Sequence, residues 1–528
     1  MTTPATPQSH PPARFLDRLI SSTERMGNLL PHPFTLFLLL IGAVFLLSFV
    51  LSHVGISASY VRIDGDSTEP VTQLVPVVNL TEKAMLQEMM QNFVQTFAYF
   101  TPVGFVIIMV LGVSIAEQTG FFSAVIRTVV LRTPATLITF VIALVGICAN
   151  IASDAGIIVA PTLGGAIFLA LGRHPIAGVC AGYVAAYGGY SANLFITGTD
   201  VVLAGITESA AGHFAIDLPI HPLMNWYCMI GSTVVLAGVV TIITEKVIIP
   251  HLGEYRPPPE AVAQPFSEFQ LGPHERRGLW AALITTLLFL IALLVLTVPD
   301  DAVLRNDEGR LLPRSPLISG IIFIIFTYFF IVGIVYGAAA GTLRSEKEIP
   351  KMMERGLAGV ASFLVVCLPA SIFIDLFHKS NLTTLIAVSG ADLIKGFDIG
   401  AIATLLLFAL FCAVVNIFIT SGFTQWLVLA PIFVPLLFQL GASPAITQMA
   451  FRIGDSTTNL ISPVSAYLPF LLGLLEKYRN EGQEIGIGSA ISVMLPYSLT
   501  LLAVWTLFLG AWLLLGLDPG PGVSSFVN

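Results

Sequence analysis

TLITFVIALVGICANIASDAGIIVAPTLGGAIFLALG (Thr136 to Gly172) and AIATLLLFALFCAVVNIFITSGFTQWLVLAPIFVPLLFQLG (Ala401 to Gly441) are each nearly twice as long as the roughly 20 apolar residues that cross a bilayer core. Yet the basic residues flanking the first, Arg127 and Arg132 before it and Arg173 after it, place both of its ends on one side of a membrane. The stretches 134–172 and 400–441 therefore read as re-entrant hairpins. In the first, 136–151 goes in, ASDAG (Ala152 to Gly156) turns and 157–172 returns. In the second, 401–420 goes in, SGFTQW (Ser421 to Trp426) turns and 427–441 returns. The stretches that lead into them, Phe121 to Arg132 and Leu385 to Phe397, suit helices lying at the membrane interface.

The rest of the chain agrees with a membrane location. Of 528 residues, 55% are hydrophobic and 11% charged, against about 25% charged in ordinary soluble proteins. The mean hydropathy is +0.87. With only 24 Lys and Arg there is no clustered basic surface, which excludes a nucleic-acid binder. The cysteines, Cys148, Cys180, Cys228, Cys367 and Cys412, lie in apolar runs without metal-ligand spacing. Nine full spans are expected: Pro33 to Val54, read as an anchor and not a cleaved signal, then about 94–118, 175–210, 222–247, 279–298, 316–341, 357–377, 445–473 and 488–516. Lys and Arg put the N-terminus in the cytoplasm and the C-terminus in the periplasm, with the arginines of 299–315 as the one conflicting loop.

After each hairpin comes a span interrupted by small and polar residues, GGYSANLFITGTD (Gly188 to Asp200) and RIGDSTTNLISP (Arg452 to Pro463). The parts recur in one order: Asn150, Ala160-Pro161, Pro175 and Ser191 to Asn193 correspond to Asn416, Ala430-Pro431, Pro444 and Ser456 to Asn459. One hairpin enters from the cytoplasm and the other from outside, so the repeat is inverted, as alternating access uses. The fold class is an all-α polytopic membrane protein with nine transmembrane helices plus two re-entrant hairpins in an inverted repeat. Its expected division is a cytoplasmic segment 1–30, scaffold helices 31–118, a first transport repeat 119–210, scaffold helices 211–345, a second transport repeat 346–475, and a last helix and tail 476–528.

Backbone that leaves a helix at membrane depth must be buried in protein or line a watery cavity. Two tips and two interrupted spans are thus expected to converge near the midplane. Asp154, Asp200, Arg452 and Asp455 lie in or beside these breaks, where a charge costs at least about 2.5–3.5 kcal/mol. Arg452 and Asp455, three apart, either neutralise one another or share a substrate or proton role. Asp200 is either part of the site or an exposed helix cap, and Asp154 either part of it or a cap on the return arm. Trp426 offers an aromatic face, unless it only packs. Pro161, Pro431, Pro444 and Pro463 end or kink helices and free backbone groups. Ser153, Asn193, Ser421, Ser456, Thr457, Thr458 and Asn459 offer hydroxyls and amides for a cation or a carboxylate, or for bonds between helices. No Walker A loop, HExxH or GxSxG occurs, so the expectation is no enzyme and no cofactor, with energy taken from an ion gradient.

ANIASDAG, LGRHPIAGVCAGYVAAYGGYSANLFITGTD, and WLVLAPIFVP followed by FRIGDSTTNLISP resemble the p-aminobenzoyl-glutamate transporter (AbgT) family, over about residues 15 to 516. The resemblance implies a homodimeric bacterial inner-membrane protein that carries p-aminobenzoyl-glutamate or exports sulfonamide antimetabolites on the proton gradient. It also implies functional roles for Asp200, Trp426, Pro444, Arg452, Asp455 and Pro463. The family's small polar residue three before the tryptophan is Phe423 here, which makes the tip more apolar and bears on substrate choice. The expected substrate-binding set is then Asn193, Asp200, Ser421, Phe423, Trp426, Pro444, Arg452, Asp455 and Pro463, and the ion-coupling set Asp154, Asp200, Asp455 and Asn459. A sodium-coupled carrier of a dicarboxylate or related aromatic amino-acyl anion is the alternative.

Overall fold

The computed structural model describes residues 31–63, 70–152, 154–212, 218–256, 270–397 and 399–527. Eight of its helices are long and apolar enough to cross a membrane. Seven are the uninterrupted spans, and the eighth, Gly422–Gln439, is the return arm of the second hairpin. The remaining two spans are broken, at 175–212 and 444–477, so among the described residues the spans number nine, as expected. The first, Pro33–Val54, shows how local chemistry sets the ends: proline in the first turn, His32 accepting from the Phe34 N–H, and Gly55 closing at φ 79°.

The first hairpin is Ile138–Cys148, a 3-10 turn Ala149–Ala152, and Asp154–Ala170. The second is Ala401–Asn416 and Gly422–Gln439. An arm of 11 residues rises only about 16 Å, half the hydrocarbon thickness. Helices precede both hairpins, Phe121–Leu131 and Leu382–Gly396, and the latter meets Ala401–Asn416 at 115°. Small residues bring the hairpins against the broken spans. A Cβ on Gly164 would stand 2.2 Å from the Gly178 carbonyl, and one on Gly454 would stand 2.5 Å from the Ala409 carbonyl, so the backbones touch there.

Hairpins, broken spans, Trp226–Ile243 and Ile487–Leu514 share one apolar core. A second cluster, with Met109, Phe122, Phe329 and Tyr336, joins Thr101–Gln118, Phe121–Leu131, Pro273–Val295 and Ile321–Ala340.

Between the first two expected spans the structure adds two strands and a helix. Ser57–Ile63 pairs antiparallel with Pro70–Pro76, and Lys83–Ala98 forms a separate helix. The span after it begins at Thr101 rather than 94, because Pro102 favours a helix start. Lys379 holds Glu88 at 2.9 Å and Asp375 at 3.0 Å, fixing that helix to Glu348–Lys379. The conflicting arginines of 299–315 are also explained in part. Arg305 donates to the carbonyls of Thr297, Val298 and Gly309, so its charge caps a helix end, and Arg310 pairs with Glu308. The C-terminal tail folds back over the end of the protein: Ser443 N–H donates to Ser525 O, Val527 N–H to Gly441 O and Cys228 N–H to Pro519 O.

Candidate functional site

In the first broken span, Pro175–Tyr183 widens into a π-helical turn, Val184–Gly188, and the helix resumes only at Gly198–Gly212. In the second, Pro444–Thr457 tightens into a 3-10 turn, Thr458–Ile461, and stops before Pro463, which lacks an N–H to continue it. The groups freed are taken up by the hairpin tips. Asn150 donates to the carbonyls of Ile147 (3.1 Å) and Tyr190 (3.2 Å). Asn416 donates to Asp455 O, Thr458 Oγ1 (3.1 Å) and Asn459 Oδ1 (2.9 Å). Each asparagine thus reaches from its own tip into its own repeat's break, the correspondence the sequence order anticipated. The breaks also meet each other: Ser191 N–H donates to Ser456 Oγ at 3.1 Å, and Tyr187 and Ser465 share a hydroxyl bond of 2.9 Å.

A cavity of about 250 Å³ opens where they meet. Of the expected residues, Ser421, Phe423, Asp455 and Asn459 line it together. Sequence reading missed Tyr187, Tyr190, Thr199 and Tyr467, which also line it; the signal was present in two tyrosines flanking Gly188-Gly189. Ser421 caps the return arm, its hydroxyl accepting from Thr424 N–H. Gly422 presses on the acid: a Cβ there would stand 2.6 Å and 2.7 Å from the two Asp455 carboxylate oxygens. Phe423 packs edge-on against Phe363 of Glu348–Lys379, ring centres 5.4 Å apart.

A second polar group lies buried beside the cavity. Arg452 does not pair with Asp455, the neutralisation that their spacing suggested. Its guanidinium instead reaches across the repeats to Asp200 Oδ1 at 2.8 Å, with both side chains almost fully buried. Asp200 is a helix cap, as one reading had it, but a buried one: its other oxygen accepts from Thr197 N–H (2.7 Å) and Oγ1 (2.8 Å). The long arginine side chain finds a carboxylate already held by two donors, whereas the short Asp455 side chain turns to the hairpin tip. Gln448, missed from sequence although it lies one turn before Arg452, ties this together. It accepts from Arg452 Nε (3.1 Å) and Asn225 Nδ2 (2.8 Å), and donates to Thr207 Oγ1 (2.7 Å). Trp426 is fully buried, donates its indole N–H to the same Thr207 hydroxyl at 3.0 Å and stacks on Phe451 at 4.5 Å.

Pro444 opens the second broken span behind the Ser443 cap. Asn193 accepts from Phe195 N–H at 3.0 Å and holds the first break. Asp154 begins the return arm of the first hairpin, its side chain lying outside the described residues, as does Ser153. Among the described residues Asp455 makes no ion pair, and its Oδ1, together with Asn150 Oδ1 and Asn416 Oδ1, is a buried acceptor without a donor. Each of these oxygens retains the capacity to accept a hydrogen bond or to ligate a cation. No group of His, Cys, Asp and Glu among the described residues suits a metal ion.

Comparison with known proteins agrees with this architecture. The model of the AbgT putative transporter family matches residues 18–527. The p-aminobenzoyl-glutamate transport protein of Escherichia coli (strain K12) is 35% identical over 506 residues, 96% of either chain. The YdaH transporter of Alcanivorax borkumensis, whose crystal structure reveals an unusual topology, superposes with a TM-score of 0.84 at 34% identity, covering 93% of this chain and 100% of its own. MtrF of Neisseria gonorrhoeae, described as illuminating a class of antimetabolite efflux pumps, superposes with a TM-score of 0.88 at 36% identity, covering 94% of this chain and 97% of its own.

Proposed function

The chain belongs to the AbgT family of membrane transporters, and from that premise we propose that it moves p-aminobenzoyl-glutamate, or expels sulfonamide-type antimetabolites, by coupling to the proton gradient. The observation that carries the reading is the cavity at the meeting of the four breaks, with Asp455 on its wall and, among the described residues, no cation paired to it. A buried carboxylate without a partner is costly. Of the two acids at the centre, Asp200 is held by Arg452, whereas Asp455 has no such partner among the described residues, which makes it the candidate for ion coupling.

In this reading Ser421, Phe423, Asn459 and the tyrosines of the wall contact substrate, and a flat ring lies between Phe423 and Tyr467. Arg452 and Asp200 act as a buried clamp between the repeats, with Trp426 seated on it through Thr207. Asn193, Pro444 and Pro463 shape the backbone, and Asp154 stands at the first tip as a second candidate for ion coupling. Hairpins and broken spans move against the other helices. The protein acts as a homodimer in a bacterial inner membrane, with its N-terminus cytoplasmic and its C-terminus periplasmic.

The orphaned oxygens of Asn150, Asn416 and Asp455 favour one alternative, a sodium ion as the coupling species. Flux of radiolabelled p-aminobenzoyl-glutamate and of a sulfonamide into proteoliposomes, with pH and sodium gradients imposed separately, decides between them. The proton reading expects a pH gradient alone to drive flux. Flux driven only by sodium would replace it with the alternative, and no flux of either compound would overturn the substrate assignment.

A further inference from the structure

We propose that the groove between Phe121–Leu131 and Pro273–Val295 is a binding site for an anionic phospholipid. The groove has a volume of about 840 Å³ and lies apart from the substrate cavity, sharing no residue with it. One end is cationic. Arg132 ends the first helix, Arg276 sits in the opening turn of the second, and both line the groove. The nearby Arg127 and Glu275 satisfy each other at 2.5 Å, and Glu275 also accepts from Gly272 N–H, so this acid is already engaged and not offered to Arg132 or Arg276. Among the described residues neither side chain has an ion-pair partner. The opening turn of Pro273–Val295 adds the partial positive charge of a helix N-terminus.

Below the arginines the lining turns apolar and remains open to the surroundings: Val129 is 46% exposed, Leu283 47% and Trp280 67%. From Arg276 to Thr286, the deepest lining residue on that helix, a helical rise gives about 15 Å, one leaflet of a roughly 30 Å hydrocarbon core. A soluble phosphate would need only the arginines. Two cations without an ion-pair partner among the described residues, an exposed tryptophan one turn below Arg276, and an apolar channel one leaflet deep together fit a phosphate headgroup with an acyl chain beneath it. The site needs no particular substrate or coupling ion and is independent of the transport reading.

Trp280 reports occupancy directly. Purified protein in neutral detergent is titrated with dibrominated phosphatidylglycerol or dibrominated phosphatidylcholine, and the Trp280 signal is isolated by subtracting the Trp280→Phe variant. The expected result is quenching by phosphatidylglycerol at roughly tenfold to thirtyfold lower concentration than by phosphatidylcholine, the scale of two basic residues near a membrane surface. Arg132→Gln with Arg276→Gln removes that preference at an unchanged unfolding temperature, Arg132→Lys with Arg276→Lys keeps most of it, and inorganic phosphate does not compete. Equal quenching by both lipids, or a preference that survives the double glutamine variant, overturns the proposal. So does a Trp280 that neither lipid quenches and that cross-links, as Trp280→Cys, to a second copy of the chain, which would make the groove a subunit interface.

Discussion

Arg452 and Asp200 show how a transporter keeps full charges in its interior. Each has its demands met twice over, the guanidinium by Asp200 and Gln448 and the carboxylate by Arg452 and Thr197. The pair need not stabilise the fold relative to apolar residues, but removing one partner strands the other. Arg452→Met is therefore expected to cost about 3–5 kcal/mol, seen as a clear fall in unfolding temperature for purified protein. Arg452→Met combined with Asp200→Asn should recover part of that loss, because the stranded carboxylate is gone. A double variant as unstable as the sum of the singles would mean that the two side chains act independently. The network also shows what a sequence can and cannot signal about such a site. Cost alone singled out Asp154, Asp200, Arg452 and Asp455. Which acid the arginine chooses depends on where another helix begins, and spacing along one helix carries no information about that. Gln448, Thr207 and Asn225 are ordinary helix residues in the sequence and acquire their role only through packing.

At the scale of elements, the hairpins and broken spans were legible because a bilayer punishes irregular backbone, so Gly, Ser, Asn and Pro inside an apolar run carry meaning there. The β pair of Ser57–Ile63 and Pro70–Pro76 and the folded-back tail lie in segments under no such constraint, and their sequences said little. The tail has a testable weakness. Its Val523 packs with Met224 and Ala445, next to buried His221, whose ring meets the backbone of Pro521 in the same tail. Burial pushes the His221 imidazole down to about 4 from the usual 6.5, so the packed arrangement tolerates only the neutral ring. Above about pH 6.5 the ring is neutral whether or not it is packed, and the arrangement keeps its full stability. As pH falls from there towards 4 that stability is progressively lost, because only the unpacked ring takes up the proton. A nitroxide on Ser524→Cys, an exposed position of the tail, should become more mobile between pH 7.5 and 4.5, and His221→Gln should remove that dependence. A label equally mobile at both values would show that His221 does not hold the tail.

For the molecule as a whole, the inverted repeat turns two similar half-structures into one site. Asn150 and Asn416 serve matching breaks, yet the chemistry at the centre is unequal: the acid of the first repeat, Asp200, is bound by Arg452 of the second, while Asp455 on the cavity wall has no ion-pair partner among the described residues. Nine spans and two hairpins followed from lengths and charges, and relatives at 34–36% identity superpose over nearly the whole chain. The sequence does not reveal how the repeats divide their charges, and that division is what the proposed coupling through Asp455 rests on. Asp455→Asn in proteoliposomes tests it most directly, because the amide keeps size and shape while losing the exchangeable charge. The account predicts that this variant still exchanges labelled for unlabelled substrate across the membrane but no longer accumulates it when a pH gradient is imposed. Accumulation at the wild-type level would contradict a coupling role for Asp455, and loss of exchange together with accumulation would reduce Asp455 to a binding or structural residue.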